Sequence, residues 1–429
     1  MSQIKRLAII YDGKGSANLT DIISAVDGIA VPIFVLVDGD ADKQMANAMS
    51  RFAGVCDIDG LSDEGAIARL QDERPDGIIT FSDYQLERTA LFADQLQLPF
   101  HSIEVARKLT HKSIQRKLLN ECGASSVRTQ LVSGKADAVS ALASTGLPAV
   151  LKPDVGTGSK STYRITTLDG LVSVCDSEFN EEVPLPSGRD FVLESEMSSV
   201  GCVGGWGDFV SVESLVFDGV ICHMAVTGKF PLAPPYRETG AFLPADLPDS
   251  EEKVVLNVAT KALRSLGIRF GICHTEVKFT HAGPQVIEVN GRLGGSINAL
   301  MRDSSGVSAV EMAARIALGD RSVVDSVSNI DFSAISFTYQ HLPPVEAVRV
   351  TGLQGMAKLR AMPEIFRTYP GIRPGEEIDW RSGSLGYLYI CYGAVDSYKE
   401  LRSTLDDVCG IVEIDYDLVG GEPRTGRAD

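Results

Sequence analysis

The sequence predicts a multidomain chain, α/β at its start and α+β beyond, and three observations carry that prediction. In the first hundred residues, short apolar runs at 6–11, 31–37, 55–58 and 77–81 alternate with amphipathic segments, the pattern of a doubly wound, largely parallel sheet. From residue 103 onward helices and strands come in mixed order, and after 330 the strands are punctuated by glycine and proline. A length of 429 residues implies two to three domains, and a composition 44% apolar and 23% charged can bury large cores.

The bulk properties narrow the partners. A net charge of −17 argues against nucleic acid and against anionic membranes, both of which need a basic surface. Local clusters of lysine and arginine must then serve a small anionic ligand. Eight cysteines are scattered singly at 56, 122, 175, 202, 222, 273, 391 and 409, with no CxxC pair, which fits reduced thiols. The chain opens MSQIKRLAII and enters a strand at once, with no hydrophobic signal core, and its longest apolar run, 29–37, is too short to span a bilayer. The expectation is a soluble, cytoplasmic protein.

Taken in order, the first turn, DGKGS at 12–16, has a GxG but neither a third glycine nor an acid closing the second strand, so it reads as a plain βα turn. Asp83 follows the strand 77–81, where open α/β sheets place ligands, or it caps a helix beginning near Gln85. A long helical pattern from 103 carries Leu109, Ile114, Leu118 and Leu119 as its apolar stripe and Lys108, His111, Lys112, Arg116 and Lys117 as a basic cluster. A strand at 127–132, a helix at 136–144 and a strand at 149–152 follow. Then comes KPDVGTGSKS at 152–161, in which Gly156, Gly158, Ser159 and Ser161 supply flexible N–H and hydroxyl donors between Lys152 and Lys160. It lacks Walker spacing but has the make-up of a phosphate cover.

Strands are expected at 191–197 and 209–218, the second holding Glu213, and the glycine-rich 198–208 between them has the length of a mobile lid. After a strand at 221–229, PLAPPYRETGAFLPADLP (231–248) is too rich in proline for regular structure and reads as a substrate-shaping loop. Helices at 250–266 and 307–318 flank the hairpin described next. Strands at 334–340, 345–350, 386–392 and 411–415 and a helix at 395–408 complete the chain, without repeats or low-complexity tracts.

The chemistry centres on GICHTEVKFTHAGPQVIEVNGRLGGS, 271–296. Two β-branched-rich runs, 272–279 and 285–290, flank His-Ala-Gly-Pro, a strand-turn-strand signature centred near Ala282. Glu276 and Glu288 are equidistant from 282 and should lie opposite each other on one face, and alternation returns Asn290 to that face. Two facing carboxylates repel unless a cation lies between them, and two acids with an amide suit magnesium. Arg292 can grip phosphoryl or carboxylate oxygens, while Gly294 and Gly295 allow close backbone approach.

These pieces together resemble the ATP-grasp carboxylate-amine ligases, and within that superfamily the amino-acid (dipeptide) ligases. The likeness covers about residues 75 to 330 and runs in the family's order: LPFHSIEVARKLTHKSIQRKLLNECG, VLKPDVGTGSKS, VLESEM, VSVESLVFDG, AVTGKFPLAPPYRETGAFLPADLP, HTEVKF and IEVNGRLGGS. The resemblance implies a Rossmann-like pre-ATP-grasp domain at 1–105, a small α+β subdomain with the phosphate-covering loop at 106–190, a catalytic subdomain at 191–330, and a C-terminal α+β region at 331–429 packed on it.

Carried onto matching residues, the resemblance implies that Lys112 and Lys152 contact ATP phosphates beneath a lid of residues 156–161, and that Glu194 to Met197, with Glu196, form the hinge at adenine and ribose. Glu276 and Glu288 would hold one Mg2+ and Glu288 and Asn290 a second, with Mn2+ a permitted substitute, and Arg292 would steady the transferred phosphoryl and the substrate carboxylate. Glu213, His223, Lys229 and Glu238 would line the acceptor side; Glu213 is either an ammonium anchor or a strand-surface acid. A homodimer is a family-level expectation. Two departures stand out: Ser161 where the family has glycine, and Gly291 where proline is common. The implied reaction activates a carboxylate as an acyl phosphate and joins it to an amine, the implied partners being two small-molecule amino acids. The alternatives are a carboxylase or ligase with a different acceptor, which would need more basic residues than the Lys229 and Arg237 of 221–245, and a non-catalytic nucleotide-binding protein, which should have lost a ligand.

Overall fold

The structure, a computed structural model, describes residues 4–37, 53–179, 190–201, 203–420 and 423–427. Strands β1 (Lys5–Tyr11), β2 (Ala30–Leu36), β3 (Gly54–Asp57) and β4 (Gly77–Thr80) form a parallel sheet in the order β3-β2-β1-β4. The continuous apolar runs of β1 and β2 follow from burial on both faces: Ala8, Ile10 and Ile33 pack into one core while Leu7, Ile9 and Phe34 pack into another. The 12–16 turn is a clasp, as its composition implied. Ser82 and Gln85 donate to the Asp12 carboxylate, which also accepts from the Lys14 amide, and the Ser16 amide bonds the Phe81 carbonyl.

The helical pattern from 103 is not one helix. It breaks at His111 into Ile103–Thr110 and Lys112–Glu121, because the His111 ring and the Lys112 and Ser113 amides all turn to Asp154. Beyond it, β5 (Thr129–Val132), β6 (Ala149–Pro153), β7 (Tyr163–Ile165) and β8 (Phe191–Ser195) form an antiparallel sheet in the order β5-β8-β6-β7, covered by helices Lys135–Thr145 and Leu168–Glu178. Since β8 belongs here, the small subdomain runs past the expected boundary at 190.

The remaining strands are β9 (Phe209–Phe217), β10 (Val220–Lys229), β11 (Gly240–Leu243), β12 (Phe270–Thr280), β13 (Gly283–Asn290), β14 (Ile335–His341), β15 (Ala347–Gln354), β16 (Ile365–Pro370), β17 (Tyr389–Val395), β18 (Glu413–Leu418) and β19 (Pro423–Arg427). An eight-stranded sheet orders them β13-β12-β9-β10-β11-β14-β17-β16, and β15, β18 and β19 form a separate three-stranded sheet. Three strands beyond 330 thus continue the sheet that carries the 271–296 hairpin, so 330 is not a break between layers. β11 also corrects the reading of 231–248 as wholly irregular: Gly240 to Leu243 hold no proline and pair with both β10 and β14.

One face of the large sheet packs Val216, Cys273 and Val277 on helix Asp249–Leu266, while Leu215 and Ile272 on the other face meet helices Ile297–Ser305 and Ala309–Ala317. The glycine-rich 198–208 segment is no free lid. Arg402 stacks over Trp206 at 3.7 Å, Trp206 Nε1 donates to Asp246, and the Gly207 amide bonds Lys229 O. Cys202 within it lies outside the described residues. The described cysteines carry free thiols, and among the described residues no helix is long and apolar enough to cross a membrane.

Candidate active site

The hairpin β12–β13 pairs Glu276 with Glu288 directly, as the spacing predicted, but through a device the spacing did not reveal. Its loop is only His281-Ala282, and the pairs from Thr280–Gly283 to Val277–Val286 would leave Glu276 opposite residue 287. A β-bulge at Ile287 inserts one residue into β13 and restores the acid pair, with His274 then facing Asn290. The residues before the helix Lys112–Glu121 ends hold this bulge in place. Arg116 donates to Val286 O at 2.8 Å and Ile287 O at 2.5 Å. Gln115 pairs with both backbone groups of Val289, at 2.8 and 2.9 Å, on the outer edge of β13, opposite its pairing with β12.

Both glutamates are largely withdrawn from solvent. Burial raises the pKa of the Glu276 carboxyl, a hydrogen bond from His274 opposes this, and the facing Glu288 charge adds to the rise. Burial acts the same way on Glu288, but Lys112, 3.5 Å away, and Lys152 overcome it and hold its carboxyl below the usual range. Asn290 Nδ2 donates to Glu288 Oε1 at 3.3 Å, so the three predicted ligands do share one face. Among the described residues no three His, Cys, Asp or Glu side chains converge as a metal cluster. The set here is two acids and an amide, oxygen donors of the kind a hard divalent cation takes, with one acid disfavoured as an anion until positive charge arrives.

The cations converge from several elements. Lys112 Nζ, at the start of its helix, donates to Gly156 O at 2.7 Å. Lys152 on β6 lies 2.9 Å from Glu194 on β8, which also takes Arg116 at 2.8 Å. Burial opposes ionisation of Glu194, yet these two cations bring its pKa down to about 2. Arg292 is held by Asp83 through Nε and Nη2 and donates to Thr157 Oγ1 at 3.2 Å, so Asp83 binds the arginine and makes no side-chain cap. Between the two sheets Lys112, Arg116, Lys152 and Glu194 line, with Glu276 and Glu288, a cleft of about 1070 Å³ including its mouth, bordered by residues 156–160, while Arg292 reaches its wall through Thr157.

Several predicted residues sit differently from expectation. Glu213 is fully buried, accepting from Ser211 and Thr227 and facing His274 Nδ1 at 3.0 Å, so it is neither a surface acid nor free for an ammonium. A carboxylate only accepts, so that histidine nitrogen carries the proton; burial disfavours the imidazolium, but Glu213 raises the His274 pKa to about 9. His223 lies on the opposite face of the sheet, bonded to Ser214 and to Thr260 of the helix Asp249–Leu266, and does not line the acceptor side. Lys229 and Glu238 do reach the site but are paired with each other at 2.9 Å. Glu194 is committed to its two cations, and Glu196 to Arg164 and to the Tyr236 hydroxyl at 2.6 Å, while Met197 lines the cleft.

The glycines have specific reasons. A Cβ on Gly294 would lie 2.3 Å from His274 Nδ1, whereas Gly295 faces open space. Gly291, where proline is common in the family, is a close-packing position: a Cβ there would meet Leu109 at 2.5 Å, and its carbonyl accepts from His101. Ser161, where the family has glycine, has φ +44°, and Ser159 has φ +55°, both in the left-handed region glycine favours. The sequence reading missed Gln115 and His274, and it singled out Asp83 and Arg116 without their partners. Arg116 and Gln115 follow Lys112 by one helical turn, so the inward face of that helix was a usable signal.

No family model matches the chain. It is similar to carnosine synthase 1 of Homo sapiens, 27% identical over 249 residues that make up 53% of this chain and 29% of that protein. It is likewise similar to the alanine–anticapsin ligase of Bacillus subtilis (strain 168), 25% identical over 235 residues, 51% of this chain and 49% of that one. The chain thus spans about half or less of the length of these curated relatives. Among solved structures, the L-amino acid ligase from Bacillus licheniformis superposes with a TM-score of 0.75 over 97% of this chain and 100% of that one, at 19% identity.

Proposed function

The chain has the ATP-grasp fold, and on that premise we propose that it is an ADP-forming carboxylate-amine ligase that couples two amino acids or amino-acid-like molecules at the cost of ATP. The observation that carries this reading is the largely buried Glu276–Glu288 pair with Asn290 beside Glu288, Lys112 and Lys152 in the same cleft, and Arg292 bonded to Thr157 of its wall.

Glu276 and Glu288 would hold one Mg2+ and Glu288 and Asn290 a second. When bound, the metal neutralises phosphate oxygens so that an anionic nucleophile can approach. Lys112 and Lys152 bind the phosphate chain, and the 156–161 loop covers it with backbone N–H groups. Because Glu194 is consumed by Arg116 and Lys152, recognition of the base falls to the backbone of 195–197 and to apolar groups lining the cleft, among them Val150, Met197 and Ile287. A carboxylate oxygen of the first substrate attacks the γ-phosphorus, ADP leaves, and an acyl phosphate forms. The amine of the second substrate attacks the acyl carbon, phosphate departs, and the nitrogen gives up a proton as the amide forms. Arg292 steadies the developing charge, a contact of the kind worth about 3 kcal/mol of barrier. The closed loop excludes water that would hydrolyse the acyl phosphate.

The state of the two basic groups in 221–245 supports an amino-acid acceptor over a phosphorylated one. Lys229 is buried against Glu238, and Arg237 is buried with its donors on the carbonyls of Pro234 and Pro343, so neither offers a free cation. Phosphate release measured across a broad panel of amino-acid pairs tests the reading, with hydroxylamine added to trap the acyl phosphate as a hydroxamate. A panel in which no pair raises phosphate release above the rate with ATP alone would refute it.

A further inference from the structure

We propose that residues 380–385, far along the chain in its C-terminal region, form the seat on which the phosphate-covering loop closes, with Gly383 and Ser384 as its positioning residues. The inference rests on the ligase reading in assigning the loop to phosphate. The Ser384 amide donates to Gly158 O at 2.9 Å, and the Ser161 amide donates to Arg381 O at 3.0 Å, so both ends of the loop tip are bonded to this segment. Gly383 makes the approach possible. Its φ is +68°, and a Cβ there would lie 2.1 Å from Gly158 O and 2.8 Å from the Lys160 nitrogen, so no side chain fits between seat and loop.

The loop needs such a seat. Ser159 and Ser161 both hold left-handed backbone conformations that a non-glycine residue keeps only when the surroundings impose them. The Arg381 carbonyl supplies that hold at Ser161, and the Tyr236 carbonyl, which accepts from Ser159 Oγ at 2.9 Å, supplies it at Ser159. The seat also touches the acceptor wall. Ser384 Oγ accepts from the Glu238 amide at 2.8 Å, and the Gln340 amide donates to both the Ser384 and Glu238 carbonyls. Loop closure and the placement of the 236–238 segment therefore share one hub, so the phosphate cover is set when the acceptor wall is set.

The test is Gly383→Ala, read by tryptic cleavage after Lys160 in the presence of Mg2+ and a non-hydrolysable ATP analogue. Wild type should be protected by the nucleotide, and the variant should be cut roughly tenfold faster, with KM for ATP raised roughly tenfold and phosphate released in excess of amide. Ser161→Gly in the same background should recover part of the protection, since glycine adopts φ +44° unaided. A merely structural role would lower the melting temperature and kcat without moving KM, coupling or protection. Should Gly383→Ala fail to fold, Leu385→Ala, on an exposed residue beside Gly158, makes the same test. Unchanged protection and KM in a folded variant, or no nucleotide protection in wild type, overturns the proposal. Wild type that is protected by nucleotide yet forms no amide would refute the ligase reading and leave the seat standing.

Discussion

Replacing Arg116 with methionine removes the group that ties β13 to β8. The guanidinium side chain is 3% exposed and donates to Glu194, to Ser125 Oγ and to the carbonyls of Val286 and Ile287. Methionine keeps the apolar stem and none of these bonds. Glu194 is then left with Lys152 as its one partner, and breaking a buried ion pair in this way costs about 3–5 kcal/mol. The two bulge carbonyls, each worth ~1–3 kcal/mol if left unbonded, keep the loss at or above that range. With a urea slope of about 3 kcal/mol per M, the unfolding midpoint should fall by roughly 1–1.7 M. The acid limb supplies an independent check. The Glu194 pKa is depressed from 4.5 to about 2, so its stabilisation is complete above pH 4.5 and is lost as pH falls toward 2. That limb should flatten in Arg116→Met, and Glu194→Gln should cost less in the Arg116→Met background than alone, by at least ~0.5 kcal/mol. An unshifted midpoint, with the two substitutions additive, would refute the assignment of Arg116 as the link.

Glu288→Gln should lower turnover by at least ~100-fold while near-ultraviolet circular dichroism and thermal unfolding stay at wild type; retained activity would remove it from the phosphate chemistry. His111, whose pKa is raised above 6.5 mainly by its bond to Asp154 against the effect of burial, should stabilise the protein fully below pH 6.5 and lose that contribution as pH rises through its raised value. Urea midpoints at pH 6 and pH 8.5 should therefore converge in His111→Gln. Gly294→Ala places a methyl 2.3 Å from His274 Nδ1 and should cost about 1–3 kcal/mol by overpacking, with turnover reduced as His274 is pushed toward Glu276; a variant with wild-type melting temperature and turnover would show that the histidine is not confined there.

The hairpin shows both how far the sequence reads and where it stops. The two-residue alternation made Glu288 and Asn290 share a face, and counting from Ala282 put Glu276 opposite Glu288. The count succeeded because two unseen features cancel: the loop is one residue shorter than assumed, and Ile287 bulges by one. Nothing in IEVN signals a bulge, since its support comes from Arg116, some 170 positions away. His223, placed on the acceptor side by the resemblance alone, shows a similar irregularity. An irregularity in β10 between His223 and Ala225 sets His223 beside Ser214 and not on the Glu213 face, so alternation counted along one strand gives the wrong side. The parallel sheet was legible because residues buried on both faces leave continuous apolar runs, whereas β11 was hidden among prolines that flank it and never enter it.

The buried groups also indicate which part of the site moves. Lys152, Glu194, Arg116 and the Ile287 carbonyl form one continuous chain of ion pairs and hydrogen bonds from β6 through β8 and the helix Lys112–Glu121 to β13. The same helix carries Lys112 to Glu288 and Gln115 to Val289. Lys152, Glu194 and β13 are thus joined through groups that cannot separate without stranding a buried charge, a cost of several kcal/mol. The 156–161 loop is held differently, by single bonds to Tyr236, Arg381 and Ser384, each worth about 1 kcal/mol net, and by Lys112 on Gly156 O and Arg292 on Thr157, each worth about 1.5–3 kcal/mol. None of the loop's bonds strands a buried ion pair when it breaks, so on the proposed reading the loop is the element expected to open, while the lysines and the acid pair stay fixed relative to each other.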